Sequence, residues 1–332
     1  MEGLATGPPR LSGNPAPAPR VWPLCSMARQ PAVVFGALGL AGGCLLGVLA
    51  LAPTVGGADP TPAEIALGKY IFGATGGCGC HTEQTKPPKP ANSGGRKYEG
   101  PFGTVYASNI TADPKTGIGS WTDEQIIAAI RLGRRPNGER LVPVHPYTIF
   151  NGMAAEDLRV LVAFLRTVPP VTRVTPPKKL MPFFESVFLP AWLAAFAPRE
   201  TPPATAPTTG VARGEYLVRA VGHCGECHTP RSMTQATDNS RFLGGNQNGP
   251  EGAAMPNITP DRDTGLGKWS EEEIAEYLGS GNKPDGDVAG GLMAEVIEGT
   301  LAGYKDLTKA DRLAIARYLK TVPPVKNRII AK

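Results

Sequence analysis

Aromatic residues fill only 7% of the 332 positions, against 41 glycines and 35 prolines. That balance excludes a tight bundle with a core of side chains alone, and points to loop-rich units wrapped around something large. Lys and Arg form no dense run interleaved with aromatics, and the net charge is a mild +5, so a nucleic-acid partner is not expected. There are six cysteines and none is left over for a disulfide framework. Four lie in two short clusters, and Cys25 and Cys44 lie in or before an apolar run near the N-terminus. Charge is missing altogether from Ala32 to Ala52, 21 residues. At helical rise that stretch covers roughly 30 Å, enough to cross a bilayer.

What is present is a repeat. Asn109-Ile-Thr-Ala-Asp-Pro-Lys-Thr-Gly-Ile-Gly-Ser-Trp121 returns as Asn257-Ile-Thr-Pro-Asp-Arg-Asp-Thr-Gly-Leu-Gly-Lys-Trp269. Upstream of each copy lies a Cys/His cluster, Cys78-Gly-Cys80-His81 and Cys224-Gly-Glu-Cys227-His228. Downstream of each lies one exit, Leu165-Arg-Thr-Val-Pro-Pro-Val171 and Leu319-Lys-Thr-Val-Pro-Pro-Val325. A duplicated unit opened by a Cys-x-x-Cys-His type cluster is the pattern of a haem-attachment module made twice. Two thiols add to the haem vinyl groups and the adjacent imidazole ligates the iron. A zinc site would need two comparable pairs close together, and these are far apart and unequal.

The second cluster, Cys224, Cys227 and His228, fits the attachment pattern completely. The first is one residue short between its cysteines. Three readings stand for it: both Cys78 and Cys80 attach, only Cys80 attaches, or the module has lost its haem. The remaining axial ligands follow from spacing. Met293 lies 24 residues after Trp269, and the same step from Trp121 lands on His145. Pro136 and Gly138 match Pro284 and Gly286 at that offset, so the register holds. The expected axial ligands are His81 with His145, and His228 with Met293. Met153 is the rival at the first site, although a Met just before a helix is more often a packing residue. Six extra residues in the second copy fall after Met293. A thioether raises a haem's potential relative to a second imidazole, so electrons are expected to run from the first centre to the second. Six-coordinate iron leaves no open position for substrate. His223 reads as a loop residue, and Trp121 and Trp269 as haem-edge or core residues.

The fold class expected is all-α, two tandem modules with long loops behind one transmembrane helix. Capping boxes, Thr122 with Gln125 and Ser270 with Glu273, open one helix in each copy. Leu158, Leu161, Val162 and Leu165 form an apolar stripe at helical period, matched by Ile315, Tyr318 and Leu319. The boundaries read as 1–31 for a cytoplasmic, disordered leader (Met27 is an alternative start), 32–52 for the anchor, and 59–171 for the first module. A proline-rich linker covers 172–209 and the second module covers 210–332. Within the linker, Leu180 to Phe196 is expected to pack across the two modules rather than to enter a membrane. Arg10, Arg20 and Arg29 precede the anchor and no basic residue follows until Lys69, which places the modules outside the cytoplasm. The competing reading is a signal peptide cleaved near Gly56-Gly-Ala58.

With these motifs laid out, the chain resembles the cytochrome c subunits of membrane-bound bacterial alcohol, gluconate and sorbitol dehydrogenases. The resemblance rests on Gly100-Pro-Phe-Gly-Thr-Val-Tyr-Ala-Ser-Asn-Ile-Thr111, Gly214-Glu-Tyr-Leu-Val, Gly222-His-Cys-Gly-Glu-Cys-His-Thr-Pro-Arg231 and Leu313-Ala-Ile-Ala-Arg-Tyr-Leu319. It covers Thr61 to Val325. Such subunits usually carry three haem modules where this chain has two. Where they often have Met-Pro-Tyr at the distal ligand, this sequence has His145-Pro-Tyr147. Taken together with the motifs, the resemblance gives as the expectation a membrane-anchored carrier with two covalent haem c groups and no catalytic site of its own. Its expected partners are a periplasmic dehydrogenase or quinol-linked complex, and a downstream cytochrome, oxidase or quinone. The alternative from another class is a dihaem peroxidase-like enzyme.

Overall fold

The computed structural model describes residues 59–85, 87, 89–197 and 202–330. The leader, the apolar run Ala32–Ala52 and the cysteines Cys25 and Cys44 lie outside them. Among the described residues, no helix is long and apolar enough to cross a membrane.

Local signals account for several helix starts. Helix α1 (Pro62–Ala74) opens on Thr61, whose hydroxyl accepts from Glu64 N while the Glu64 carboxylate accepts from Thr61 N at 2.8 Å. Both expected boxes form, Thr122 before α2 (Asp123–Leu132) and Ser270 before α8 (Glu271–Ser280). Each such cap contributes about 1 kcal/mol. Gly133 and Gly281, both at positive φ, end these two helices. Helices α4 (Ala155–Leu165) and α10 (Lys309–Thr321) carry the expected stripes, and Leu158, Leu161, Val162, Leu165, Ile315, Tyr318 and Leu319 are all buried. The paired prolines lie just beyond both.

Each of these last helices crosses the first helix of its own repeat at a glycine. A Cβ on Gly68 of α1 would lie 1.9 Å from the Val160 carbonyl oxygen of α4. A Cβ on Gly214 of α6 (Gly210–Tyr216) would lie 1.9 Å from the Ala314 carbonyl oxygen of α10. Only glycine allows the backbones so close. The repeated loops are then tied to the repeated exits. Asn109 Nδ2 donates to the Val171 carbonyl at 2.7 Å, and Asn257 Nδ2 to the Val325 carbonyl at 2.6 Å. Those bonds explain why loop and exit recur together.

The all-α expectation needs correction. Strands β1 (Lys97–Gly100), β2 (Gly103–Tyr106) and β3 (Lys179–Leu180) form an antiparallel sheet in the order β1-β2-β3. Lys97 faces Tyr106, and Gly103 faces Leu180. Pro101-Phe102 makes the two-residue turn, and Gly103 takes φ +112, where a side chain would also strike the Lys179 carbonyl. The β-forming run Thr104-Val105-Tyr106 is too short to stand out from loop by pattern alone. The linker therefore begins as part of the first repeat.

The apolar linker segment packs on one side only. A π-helical turn (Phe184–Phe188) leads into α5 (Leu189–Phe196), Leu189 is buried, and Trp192 Nε1 donates to the Thr234 carbonyl of the second repeat at 2.8 Å. Phe183, Val187, Phe188 and Phe196 remain exposed. Packing across the repeats is thus partial, because α5 is one short helix with apolar residues all round.

The described residues form one compact unit, and a single hydrophobic cluster runs through both repeats. Tyr216 Oη donates to Asp157 of α4 at 2.6 Å, and Tyr70 Oη donates to Asp311 of α10 at 2.7 Å. Each repeat's first helix thus grips the other's last helix.

Candidate functional site

The second cluster forms α7 (Cys224–His228), one helical turn that carries both thiols and the imidazole. Its N-cap, His223, is left-handed at φ +41. The first cluster, one residue shorter, closes instead as a tighter 3-10 turn (Gly79–His81). His81 N donates to the Cys78 carbonyl at 2.8 Å, and Cys78 itself takes the left-handed conformation at φ +48. The missing residue is absorbed in the backbone. Cys78 and Cys224 both pack against the hydrophobic core. Each also has a hydroxyl neighbour, Thr75 Oγ1 at 3.6 Å from Cys78 and Tyr304 Oη at 4.0 Å from Cys224. Burial pushes the Cys78 thiol up to about 12 and the Cys224 thiol up to about 11, so both are held as S–H.

The two cluster histidines are oriented alike. His81 Nδ1 lies 2.7 Å from the Ser108 carbonyl oxygen, and His228 Nδ1 lies 2.8 Å from that of Pro256. A carbonyl only accepts, so Nδ1 carries the proton and Nε2 keeps its lone pair. That is the second-shell device that fixes a metal-ligating imidazole. The backbone is pinned equally: Gly94 N donates to the His81 carbonyl at 2.7 Å, and Gly245 N to the His228 carbonyl at 2.7 Å.

His145 comes from the loop just before helix α3 (Tyr147–Phe150) of the first repeat and meets His81. Their ring centroids are 6.2 Å apart, with planes at 76°. Two imidazoles on opposite sides of one metal, each bonded at about 2 Å, need a centroid separation of about 6 Å. His145 Nδ1 is buried with no hydrogen-bond partner. Burial, with His81 and His223 nearby, pushes the imidazole down to about 3 and keeps it neutral, the form that ligates. Met153, the rival, lies just before α4 and is fully buried in the core.

The hairpins that precede His145 and Met293 keep the same register. Leu141 N donates to the Gly133 carbonyl, and Ala289 N to the Gly281 carbonyl, so the two repeats stay in step up to four residues before each. Met293 sits half-buried in α9 (Gly291–Glu298), against the shared core. Trp121 and Trp269 pack against that core as well.

Three relatives bear on what this arrangement holds. A diheme cytochrome c-type protein of Cereibacter sphaeroides is 41% identical over 278 residues, 79% of this chain and 87% of the relative. The chain belongs to the dihaem cytochromes c. No protein-family profile matches it. The alcohol dehydrogenase (quinone) cytochrome c subunit of Gluconobacter oxydans is 37% identical over 80% of this chain and 56% of its own length. The gluconate 2-dehydrogenase cytochrome c subunit of Pantoea cypripedii is 34% identical over 78% and 60% respectively. The chain therefore spans little more than half the length of these dehydrogenase subunits.

A dihaem cytochrome c carries two covalently bound haem c groups, and the residues present fit them. Each cluster offers two thiols and an imidazole with a free Nε2, and His145 faces His81 at metal-bridging distance with an orphaned nitrogen. The clusters also lie near one another. The Cys80 thiol adds to burial in pushing the Cys227 thiol up to about 12. Phe150 stands between the two sites, its ring 5.7 Å from that of His145 and 5.4 Å from that of His223.

Sequence reasoning missed the residues that join the repeats. Tyr70 and Tyr216 follow Gly68 and Gly214 at one interval, and Asp157 and Asp311 recur at another. That double recurrence was the available signal. Arg96 was missed for a different reason: its partners Glu251 and Glu295 lie in the second repeat and nothing in the local pattern marks them.

Proposed function

We propose that this dihaem cytochrome c relays electrons from a periplasmic dehydrogenase, or a quinol-linked complex, to a downstream cytochrome, oxidase or quinone. The observation that carries the reading is the duplicated histidine device, Nδ1 committed to a backbone carbonyl and Nε2 left free in both repeats. Bound haem supplies a one-electron iron couple at each site. Cys78 and Cys80 hold the first group and Cys224 and Cys227 the second, with His81 and His228 as proximal ligands. His145 and Met293 would supply the second protein ligand at the first and second site.

Different sixth ligands give the relay a direction. A Met293 thioether ligand would raise the potential of its centre above that of a centre held by His81 and His145. With the groups bound, that difference would favour electron flow from the first repeat to the second. With two protein ligands available at each site, neither would offer substrate an open coordination position, and the chain would act as a carrier. The apolar run 32–52 anchors it in the cytoplasmic membrane with both repeats on the outer side. Two of the three relatives are named as dehydrogenase cytochrome c subunits, which supports a dehydrogenase donor, and none of the three is called a peroxidase.

A potentiometric titration followed by visible spectroscopy tests this reading. Two one-electron steps are expected, the higher belonging to the thioether-ligated centre, together with reduction by a quinoprotein or flavin dehydrogenase and its substrate. Rapid peroxide turnover by the half-reduced protein would instead establish the peroxidase alternative.

A further inference from the structure

Helix α9, which carries Met293, has little of its own to hold it. It runs for 8 residues, has no side-chain N-cap, follows Gly290 and ends on Gly299 at φ +64. A helix that short is marginal without tertiary support. Part of its support comes from the other repeat. The six residues by which the second copy exceeds the first fall after Met293, and the chain from α9 to Gly303 rests on the turn before the first cluster. Thr300 Oγ1 donates to the Gly77 carbonyl at 2.7 Å. Gly76 and Gly77 leave the room: a Cβ on Gly76 would reach the Val296 methyls at 3.3 Å, and one on Gly77 would strike the Ala302 carbonyl oxygen at 2.1 Å.

Arg96 locks this junction. It comes from the first repeat, just before β1, and is only 8% exposed. Its Nη1 donates to Glu295 Oε2 at 2.6 Å and its Nη2 to Glu295 Oε1 at 3.4 Å, a two-point grip on the residue two beyond Met293. Its Nε donates to Glu251 Oε1 at 2.7 Å, and Nη1 also reaches the Gly79 carbonyl within the first cluster at 3.4 Å. One guanidinium therefore joins the first attachment turn to two carboxylates of the second repeat. Planar two-point pairing of this kind fixes direction as well as distance, which a lysine does not do.

We infer that Arg96 is a positioning residue for the second centre: through Glu295 it sets α9, and so Met293, at the distance that thioether ligation requires. The inference rests on the reading of Met293 as a ligand. It makes the second centre's ligation depend on a side chain of the first repeat.

The experiment uses the full haem-loaded chain and the variants Arg96→Gln, Arg96→Lys, Glu295→Gln and Met293→Ala. Ferric samples are read for the near-infrared thioether-to-iron band, and both potentials are titrated. In Glu295→Gln the band should weaken and the higher potential should fall, with the lower potential and haem content unchanged; in Arg96→Gln the band should weaken and the higher potential should fall likewise. Arg96→Lys should restore only part of the band. A lowered melting temperature with band and both potentials intact would make the bridge merely structural and overturn the inference. Met293→Ala reports separately on the ligand reading, because a band that survives that change removes Met293 as the ligand whatever the Arg96 variants do.

Discussion

The Tyr216 hydroxyl of the second repeat donates to the Asp157 carboxylate of the first at 2.6 Å. The same hydroxyl accepts from Ala154 N at 3.0 Å, so Tyr216 caps the start of a helix that belongs to its neighbour. The counterpart, Tyr70 with Asp311, differs in one respect. Asp311 is also held by Arg213, Nε to Oδ1 at 3.1 Å and Nη2 to Oδ2 at 2.8 Å. Asp157 has no such second grip, and burial holds its pKa above the usual carboxylate value despite the Tyr216 bond.

Tyr216→Phe should therefore cost more than Tyr70→Phe. Leaving a buried carboxylate without its donor costs about 1–3 kcal/mol, whereas losing one bond to a carboxylate that keeps an arginine costs about 0.5–1.5 kcal/mol. A raised folded pKa means that protonated Asp157 favours folding below its unfolded pKa, and that this contribution is lost as pH rises through the folded value. The Tyr216→Phe deficit should accordingly shrink as pH falls into the carboxylate range. Denaturant unfolding at neutral and acid pH checks both statements, and equal deficits in the two variants at all pH values would contradict them.

The helix crossings at Gly68 and Gly214 can be tested by alanine. An added methyl would lie 1.9 Å from a carbonyl oxygen at either place, and backbone cannot yield as a side-chain tip does. Each variant should lose more than the roughly 1–3 kcal/mol typical of overpacking. Because the core cluster spans both repeats, the Soret absorption of both haem sites should change in one thermal transition rather than in two. Separate transitions in Gly214→Ala would contradict that coupling.

His145 and Met153 make opposite predictions. His145→Ala should abolish the bis-imidazole electron paramagnetic resonance signal of the first centre while leaving the second unchanged. Met153→Ala should leave both spectra as they were and cost about 2–5 kcal/mol of stability, the usual penalty for truncating a fully buried Met. A spectrum altered by Met153→Ala and not by His145→Ala would reverse the assignment.

Much of this site was legible because the chain writes its plan twice. Counting from Trp121 and Trp269 leads to His145 and Met293, and the hairpins ending at Leu141 and Ala289 keep the same register. The capping boxes at Thr122 and Ser270 depend on neighbours a few residues away, so pattern reading reached them. The β1–β2–β3 sheet did not announce itself, since Lys179 and Leu180 pair with residues far back in the chain. The one-sided packing of α5 was also hidden, because a segment apolar all round does not say which face it will bury. The Arg96 junction needs two carboxylates distant in sequence, and only the folded chain brings them to one guanidinium.

The most direct test is a count of haem and thiol on the same purified chain, produced in a host that matures c-type cytochromes. Intact mass, the alkaline pyridine spectrum and alkylation after denaturation together give that count. The account predicts two covalent haems and no alkylatable thiol at Cys78, Cys80, Cys224 or Cys227. A colourless protein, or pigment confined to the C-terminal half, would contradict it.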